Sequence, residues 1–221
     1  MDNFSIDKFE NGIEFFQNEN LYKFTSDAIK LAKFCKISPQ SKVLDMCAGS
    51  GVVGIYAYSI KKFSKLYLNE IQPSLCELID KNINHNNLLS VAISICKNLK
   101  DLSVKDTDGL VDVILCNPPY FKIEQGKVKN NKNIAMCRHE IATTLSEIIK
   151  KCSELLKDKG KLYLVLPTER LCECIALLTN NKLEAKQIDL EFSKNSAKLS
   201  LIEAIKGGKS GVKINKIGEN L

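Results

Sequence analysis

The sequence lacks a long apolar run, an apolar segment near its amino terminus and any internal repeat. Without about 18 consecutive apolar residues, no segment has the composition of a membrane-spanning helix. The first residues, MDNFSIDKFENG, include early acidic side chains and no apolar stretch, unlike a secretory signal. We therefore expect a cytoplasmic protein without a membrane partner.

Cysteine is plentiful, but its spacing carries no clear metal signal. Nine cysteines are scattered through apolar segments, and only Cys172 and Cys174 lie close together. A C-x-C pair alone is a weak indication of zinc. Small buried thiols in a reducing compartment are the simpler interpretation, so no metal is expected.

Length and charge limit the organisation of the chain. A chain of 221 residues, 44% of them apolar, is long enough for one well-buried domain and short for two. The net charge of +6 is a mild bias towards polyanions, and a solvated surface would explain it equally well. We expect an amino-terminal helical or irregular extension (1–40), a core domain (41–206) and a frayed basic tail (207–221). A monomer or weak homodimer is expected.

Short apolar runs alternate with helix-like segments in the core domain. Near-continuous runs are typical of strands buried on both faces of a parallel sheet, and they occupy 43–46, 66–68, 91–95, 111–116 and 162–166. Helical spacing covers 21–35, 71–85 and 145–156, with Gly160 as a stop signal after the last. Two final strands, 182–190 and 199–205, would form a closing hairpin. The pattern predicts a three-layer α/β fold with a mostly parallel seven-stranded sheet whose last strand is antiparallel.

The end of the first core strand has the features of a nucleotide loop. Asp45 is followed by Cys47, Ala48, Gly49 and Gly51, and the next strand ends at Glu70, nineteen residues after Gly51. Glycine lets a ligand approach the backbone closely, and a carboxylate at the second strand end can accept ribose hydroxyls. Residues 49–54 also match G-x-G-x-x-G, but Asp45 is foreign to that pattern. The loop favours S-adenosylmethionine and leaves NAD(P) as an alternative. Asn98, after the third strand, is either an adenine contact or a turn residue.

The fourth strand, 111–116, leads into Asn117-Pro118-Pro119-Tyr120. Two prolines fix φ and remove two N–H donors, so the Pro118 carbonyl is held outside any helix or ladder. The Asn117 side-chain oxygen lies beside it in sequence. Two fixed acceptors suit a planar NH2 group, and Tyr120 offers a ring for base stacking. This stretch predicts methyl transfer to an exocyclic or amide nitrogen.

These stretches together resemble the bacterial tRNA1(Val) (adenine-37-N6)-methyltransferases, within the class I S-adenosylmethionine-dependent amino-methyltransferases. The matching segments cover nearly the whole chain and include FTSDAIKLAKF (24–34), VLDMCAGSGVVGI (43–55), VDVILCNPPYFK (111–122), RHE (138–140) and LIEAIKGGK (201–209). The resemblance implies a Rossmann-like class I methyltransferase fold and a tRNA partner. It also implies cofactor contacts from Asp45, Gly49, Gly51 and Glu70, to which we add Cys47, Ala48, Ile71, Asn98 and Asn117.

Substrate contacts and rival functions complete the expectations. Asn117, Pro118, Pro119 and Tyr120 would hold the target amine, and RNA contacts would come from Lys122, Lys127, Lys129, Lys132, Arg138 and His139. The alternatives are methylation of an rRNA or DNA base, methylation of a protein glutamine, an NAD dehydrogenase, and an RNA-binding module that kept the fold without the activity.

Overall fold

The computed structural model describes residues 4–18, 24–119 and 143–217. Its centre is an eight-stranded sheet with helices on both faces, as the three-layer prediction requires. Val43 and Leu44, adjacent in one strand, belong to two different buried apolar clusters. Successive side chains of a strand point to opposite faces, so this strand is covered on both sides. The near-continuous apolar run 43–46 therefore has the cause that the sequence suggests. The run 91–95 does not, because its strand lies at an edge of the sheet and Ile93 is 39% exposed.

The elements have the following bounds. The strands are Phe4–Lys8 (β1), Glu14–Asn18 (β2), Lys42–Met46 (β3), Lys65–Glu70 (β4), Ala92–Cys96 (β5), Val111–Cys116 (β6), Leu156–Pro167 (β7), Leu183–Ser193 (β8), Ser196–Lys206 (β9) and Lys213–Lys216 (β10). The helices are Ser26–Phe34 (α1), Val52–Lys61 (α2), Pro73–His85 (α3), Leu145–Leu155 (α4) and Leu171–Asn180 (α5). No described helix combines the length and the hydropathy needed to cross a membrane.

The strand order in the large sheet is β10-β8-β9-β7-β6-β3-β4-β5. Strand β9 runs antiparallel to both β7 and β8, and every other pair is parallel. The mostly parallel sheet with an antiparallel final core strand is therefore confirmed. The chain steps outward from β3 to β5 and then returns to the other side of β3 as β6. The carboxyl ends of β3 and β6 thus flank the point where strand order reverses, which is where ligands bind in such sheets.

The carboxyl-terminal tail differs from its prediction. Residues 213–216 form an eighth strand, β10, which pairs with β8 at the sheet edge, so this part of the tail is not frayed. The Lys186 ammonium donates to the carbonyl oxygens of Lys209 and Gly211 at 2.9 and 2.6 Å. A buried apolar pattern is absent from β10, where Ile214 is 59% exposed. The pairing therefore depends on backbone groups, this lysine and the Asn215 side chain, which donates to Asp189 Oδ1 at 2.6 Å. Sequence periodicity does not reveal such contacts.

The amino-terminal extension contains a β-hairpin, β1–β2, that the sequence pattern does not predict. Each of its two strands has five residues, and no residue of β1 is fully buried. The hairpin packs on the core through aromatic rings: Phe9 lies 5.3 Å from Tyr56 of α2 and 5.7 Å from Phe15, between centroids. Helix α1 begins at Ser26, after the non-helical Phe24 and Thr25; the first residues of the predicted helix, 21–23, lie outside the described residues.

Gly160 is not the stop signal of a helix. Helix α4 ends at Leu155, and Gly160 lies within β7, where the register to β6 shifts between Val111 and Val113. A Cβ at this position would lie 2.8 Å from the Lys157 carbonyl oxygen and 3.2 Å from that of Asp112. The glycine is needed because two backbone oxygens approach it, a constraint that comes from the neighbouring strand.

Helix α4 begins with a capping box. The Thr144 hydroxyl oxygen accepts the Glu147 amide at 3.3 Å, and the Glu147 carboxylate accepts the Thr144 amide at 2.8 Å. Two amides that the helix leaves without intrahelical partners are satisfied in this way.

Replacing Thr144 with alanine should lower the free energy of unfolding by about 1 kcal/mol, because the cap is lost. Ser146→Ala is the matched control, since Ser146 is exposed in the same turn and should change stability by less than about 0.5 kcal/mol. Urea unfolding followed by circular dichroism measures both. Equal effects in the two variants would show that the capping box contributes nothing.

Candidate cofactor and substrate site

The carboxyl ends of four adjacent parallel strands bring the predicted site residues to one edge of the sheet. Cys47, Ala48, Gly49 and Gly51 follow Asp45 at the end of β3, Glu70 and Ile71 lie at the end of β4, Asn98 follows β5, and Asn117, Pro118 and Pro119 follow β6. Tyr120, Lys122, Lys127, Lys129, Lys132, Arg138 and His139 lie outside the described residues, so their predicted roles stay predictions.

The loop after β3 is held open by two left-handed glycines. Gly49 has φ +59° and Gly51 has φ +84°, a region that disfavours other residues. A Cβ on Gly51 would lie 3.0 Å from the Leu68 side chain, whereas a Cβ on Gly49 would meet no described atom within 4 Å. Gly51 therefore faces the packed core, and Gly49 faces open space where a ligand can approach the backbone.

The third glycine of the G-x-G-x-x-G match serves helix packing. A Cβ on Gly54 would lie 2.9 Å from the Leu66 side chain and 3.0 Å from Asp45 Oδ2. The Gly54 amide instead donates to Asp45 Oδ2 at 2.7 Å. Helix α2 can therefore approach β3 and β4 only because residue 54 has no side chain. Asp45, foreign to a dinucleotide loop, uses the space so created.

Asp45 is a fully buried carboxylate with one unused oxygen. Its Oδ1 has no hydrogen-bond partner among the described residues. The pKa of Asp45 is raised to about 7, mainly by burial; the Gly54 amide opposes the rise, and the negative charge of Glu70 contributes to it. A buried acceptor without a donor is costly. A bound group that brings a donor or a positive charge would relieve that cost, and S-adenosylmethionine carries both.

Glu70 joins the cofactor loop to the end of β4. Its Oε2 accepts the Gly49 amide at 2.9 Å, and its Oε1 accepts the amides of Ile71 and Gln72 at 2.9 and 3.0 Å. Burial raises the pKa of Glu70, and these three amides oppose the rise. A carboxylate has about four acceptor positions, so one remains for a ribose hydroxyl. Glu70 thus has a structural role in addition to the predicted contact.

Asn69 is a site residue that the strand pattern conceals. It is 2% exposed. Its side-chain amide donates to the backbone carbonyl oxygens of Lys97 at 2.8 Å and Ile95 at 3.2 Å. The backbone carbonyl of Asn69 accepts the Ala48 amide at 2.9 Å. One residue therefore ties β5 and the cofactor loop to β4. A polar residue at the end of an apolar strand is the only signal that could have revealed it.

Asn98 occupies the turn that follows β5. Its side-chain oxygen accepts the Lys100 amide at 3.0 Å and caps a short 3-10 turn. The turn role that the sequence left open is therefore real. The contact to adenine stays a prediction.

The Asn-Pro-Pro segment starts beside the cofactor loop. Met46 pairs with Cys116 across β3 and β6, two strands about 5 Å apart, and Cys47 and Asn117 are the first residues after these strands. Pro118 is buried, and Asn117 and Pro119 are half-buried. The Cys47 thiol and burial raise the pKa of Cys116 well above its usual value. This thiol therefore stays protonated and is not a nucleophile.

Comparison with known proteins identifies the family. The model of the family described as "Conserved hypothetical protein 95" matches residues 13–163. The chain belongs to this family. The match includes the loop after β3, the end of β4 and the Asn-Pro-Pro segment, so the site described above lies wholly within the family region.

Two curated relatives indicate the range of activities near this chain. The tRNA1(Val) (adenine(37)-N6)-methyltransferase of Shewanella sediminis is 26% identical over 166 residues, which cover 74% of this chain and 67% of the relative. This similarity confirms the resemblance seen in the sequence. The release factor glutamine methyltransferase of Borreliella burgdorferi is 34% identical over 124 residues, 54% of this chain and 41% of that protein.

A solved structure supports the fold. M. jannaschii TYW2 in complex with AdoMet superimposes with a TM-score of 0.63 at 19% identity, covering 93% of this chain and 86% of that one. The class I methyltransferase fold is therefore confirmed, with eight strands instead of seven. Within the described residues, no cluster of His, Cys, Asp or Glu could hold a metal ion.

Affinity for S-adenosylmethionine should rise with pH up to about 7 and then level off. Below its pKa of about 7 Asp45 is mostly protonated, and a positively charged ligand favours its ionised form. Calorimetric titration at a series of pH values measures the effect.

Asp45→Asn is the control for this pH series. The ionisation of the ligand itself affects both proteins equally, so the difference between their two pH profiles reports the ionisation of Asp45 alone. Identical pH profiles in the two proteins would contradict the assignment.

Proposed function

We propose that this protein transfers a methyl group from S-adenosylmethionine to N6 of adenine 37 in a tRNA of the tRNA1(Val) type. The observation that carries the proposal is the adjacency of the glycine loop and the Asn-Pro-Pro segment on neighbouring strands. A cofactor seated on the first would present its reactive carbon to an amine held by the second. The eight described cysteines are unpaired, which fits the reducing cytoplasm where we place the activity.

The residues of the chain act mainly by positioning. When bound, S-adenosylmethionine supplies an activated methyl group. Asn117 through its side-chain oxygen, and Pro118 through its carbonyl, would accept the two hydrogens of the adenine amine. Pro118 is followed by a second proline, so no amide of residue 119 competes for local acceptors. Fixing the amine in this orientation accounts for catalysis without a strong base, because water can take the proton after methyl transfer.

An exposed hairpin tip supports RNA as the substrate. Pro167, the end of β7, pairs with Leu199, whereas Ser193 and Ser196 still pair beyond it. The β8–β9 tip therefore extends about 10 Å beyond the carboxyl end of β7. Strand β9 lies about 10 Å from β6, which is two strand spacings away. The tip therefore lies at the same end of the sheet as the carboxyl ends of β3, β4 and β6, where the site residues lie.

The chemistry of this tip fits a nucleic acid. Lys194 and Lys198 are exposed, and the Phe192 ring is 39% exposed with the Lys216 ammonium 5.4 Å from its centroid. Lysines can neutralise backbone phosphates, and an exposed ring can stack on an unpaired base. Glu191 in the same strand is neutralised by Lys30 at 2.6 Å. The tip thus presents net positive charge beside the proposed amine site.

Protein glutamine is the second candidate substrate. The 34% identity to a release factor glutamine methyltransferase favours it, and a glutamine amide offers the same planar NH2 group. The basic hairpin tip favours tRNA over a protein glutamine as the substrate, because methylation of a glutamine side chain needs no basic docking surface. DNA and rRNA bases remain alternatives that the same assay tests.

Transfer from methyl-labelled S-adenosylmethionine should label unmodified tRNA and not release factor, rRNA or DNA. Asn117→Ala should lower kcat on the order of 100-fold or more, because the amine loses its orientation, while cofactor affinity changes only a few-fold. Nucleoside analysis after digestion identifies the product.

The matched control is Asn180→Ala, an exposed asparagine at the last residue of α5. It should transfer at the normal rate. Labelled glutamine would replace the proposed substrate, and normal transfer by Asn117→Ala would remove that residue from the mechanism.

Removing Lys194 and Lys198 together, as the double alanine variant, should weaken tRNA binding. The slope of log affinity against log salt should shrink by roughly 0.7–0.9 for each lost phosphate contact. Lys157 and Lys159, exposed at the opposite end of β7, provide the control double variant. Filter binding at several salt concentrations measures both. Equal losses in the two variants would argue against docking at the hairpin tip.

A further inference from the structure

Asn82 of α3 connects the amino-terminal hairpin to the cofactor loop. Its side chain is fully buried. Its Oδ1 accepts the Phe16 amide of β2 at 2.8 Å, and its Nδ2 donates to the Ser50 carbonyl at 3.0 Å and lies 3.4 Å from the Phe16 carbonyl. One amide group thus contacts two segments that are more than thirty residues apart in sequence.

Asn86, one helical turn later, makes a similar contact to the hairpin alone. Its Oδ1 accepts the Glu14 amide at 3.1 Å, and its Nδ2 donates to the carbonyl oxygens of Glu14 and Asn82, both at 2.8 Å. The two asparagines together pair with the edge of β2 that β1 leaves open. They replace a neighbouring strand for Glu14 and Phe16, whose backbone groups need partners when buried.

Only Asn82 reaches the loop, and it does so at a critical position. Ser50 lies between Gly49 and Gly51, whose positive φ angles define the loop, and it is 5% exposed. Glycines leave a loop many alternative conformations, so something else must select one. Asn82 donates to the carbonyl between them, and a buried carbonyl that loses its donor is strongly disfavoured.

We propose that Asn82 is a positioning residue for the cofactor, which makes hairpin docking and the conformation of the cofactor loop energetically linked. The hairpin is then part of the cofactor site, although none of its own residues is assigned to that site. Linkage is reciprocal, so cofactor binding should also stabilise the docked hairpin. The inference rests on the cofactor part of the proposed function.

Three variants separate loop positioning from general stability. Asn82→Ala loses both contacts. Asn86→Ala loses a hairpin contact and leaves the loop contact. Asn82→Asp keeps an acceptor for the Phe16 amide but turns a carboxylate oxygen, instead of a donor, towards the Ser50 carbonyl.

We expect Asn82→Ala and Asn82→Asp to raise the Kd for S-adenosylmethionine roughly tenfold, the size of a lost buried hydrogen bond. KM for the cofactor should rise similarly, with kcat at saturation changed by less than about threefold. Asn86→Ala should bind the cofactor within about twofold of wild type, although its melting temperature falls like that of Asn82→Ala. Comparable loss of affinity in Asn86→Ala, or normal affinity in both Asn82 variants, would overturn the proposal.

Amide hydrogen exchange tests the link without any ligand. In Asn82→Ala, protection should fall at Phe16 and also at Gly51, whose amide donates to the Ala48 carbonyl within the loop. In Asn86→Ala it should fall at Glu14 but not at Gly51. Failure of wild type to bind S-adenosylmethionine would refute the proposed function alone, whereas unchanged protection at Gly51 in Asn82→Ala would refute the link alone.

Discussion

The close approach of α2 to the end of β3 is the constraint on which the site depends. Residue 54 can carry no side chain, because Leu66 and Asp45 already occupy the space where a Cβ would lie. This contact places the first turn of α2 next to the carboxyl end of β3. The chain between the strand and the helix must then turn sharply, and it does so with positive φ angles at Gly49 and Gly51. The Gly49 backbone is thereby open to a ligand. A bulkier contact here would move the loop away from β4 and β6 together.

Polar side chains then hold the strand ends in a common frame. The Asn69 side chain ties β5 to β4 while its backbone carbonyl accepts the Ala48 amide of the loop, Glu70 accepts the Gly49 amide, and Asn82 reaches the Ser50 carbonyl from α3. Each of these side chains is buried, so each bond is shielded from competition with water. The loop consists of small residues whose own side chains do not fix its backbone conformation. Its shape is set by groups of β4 and α3.

The same frame concentrates negative charge. Asp45 and Glu70 are both buried, burial raises the pKa of each, and their mutual repulsion contributes at Asp45. Two carboxylates in one buried edge are unfavourable unless a cation or several donors join them. The free protein is therefore preorganised at some cost to stability for a positively charged ligand. The adjacent Asn-Pro-Pro segment is neutral, which suits an uncharged amine.

Sequence alone determined the elements whose signals are local. Near-continuous apolar runs predicted the strands β3 to β7, although β5 is a partly exposed edge strand. Glycine and proline marked the two loops, and charged or amide residues at strand ends made Asp45, Glu70 and Asn117 the candidate site residues. Only the tertiary structure decided what depends on a distant partner. The β1–β2 hairpin and β10 pair mainly through backbone groups, Gly160 is required by oxygens that belong partly to β6, and Asn69 and Asn82 act through carbonyls of other segments. A backbone carbonyl has the same chemistry at every residue, so no sequence pattern announces which one a side chain will meet.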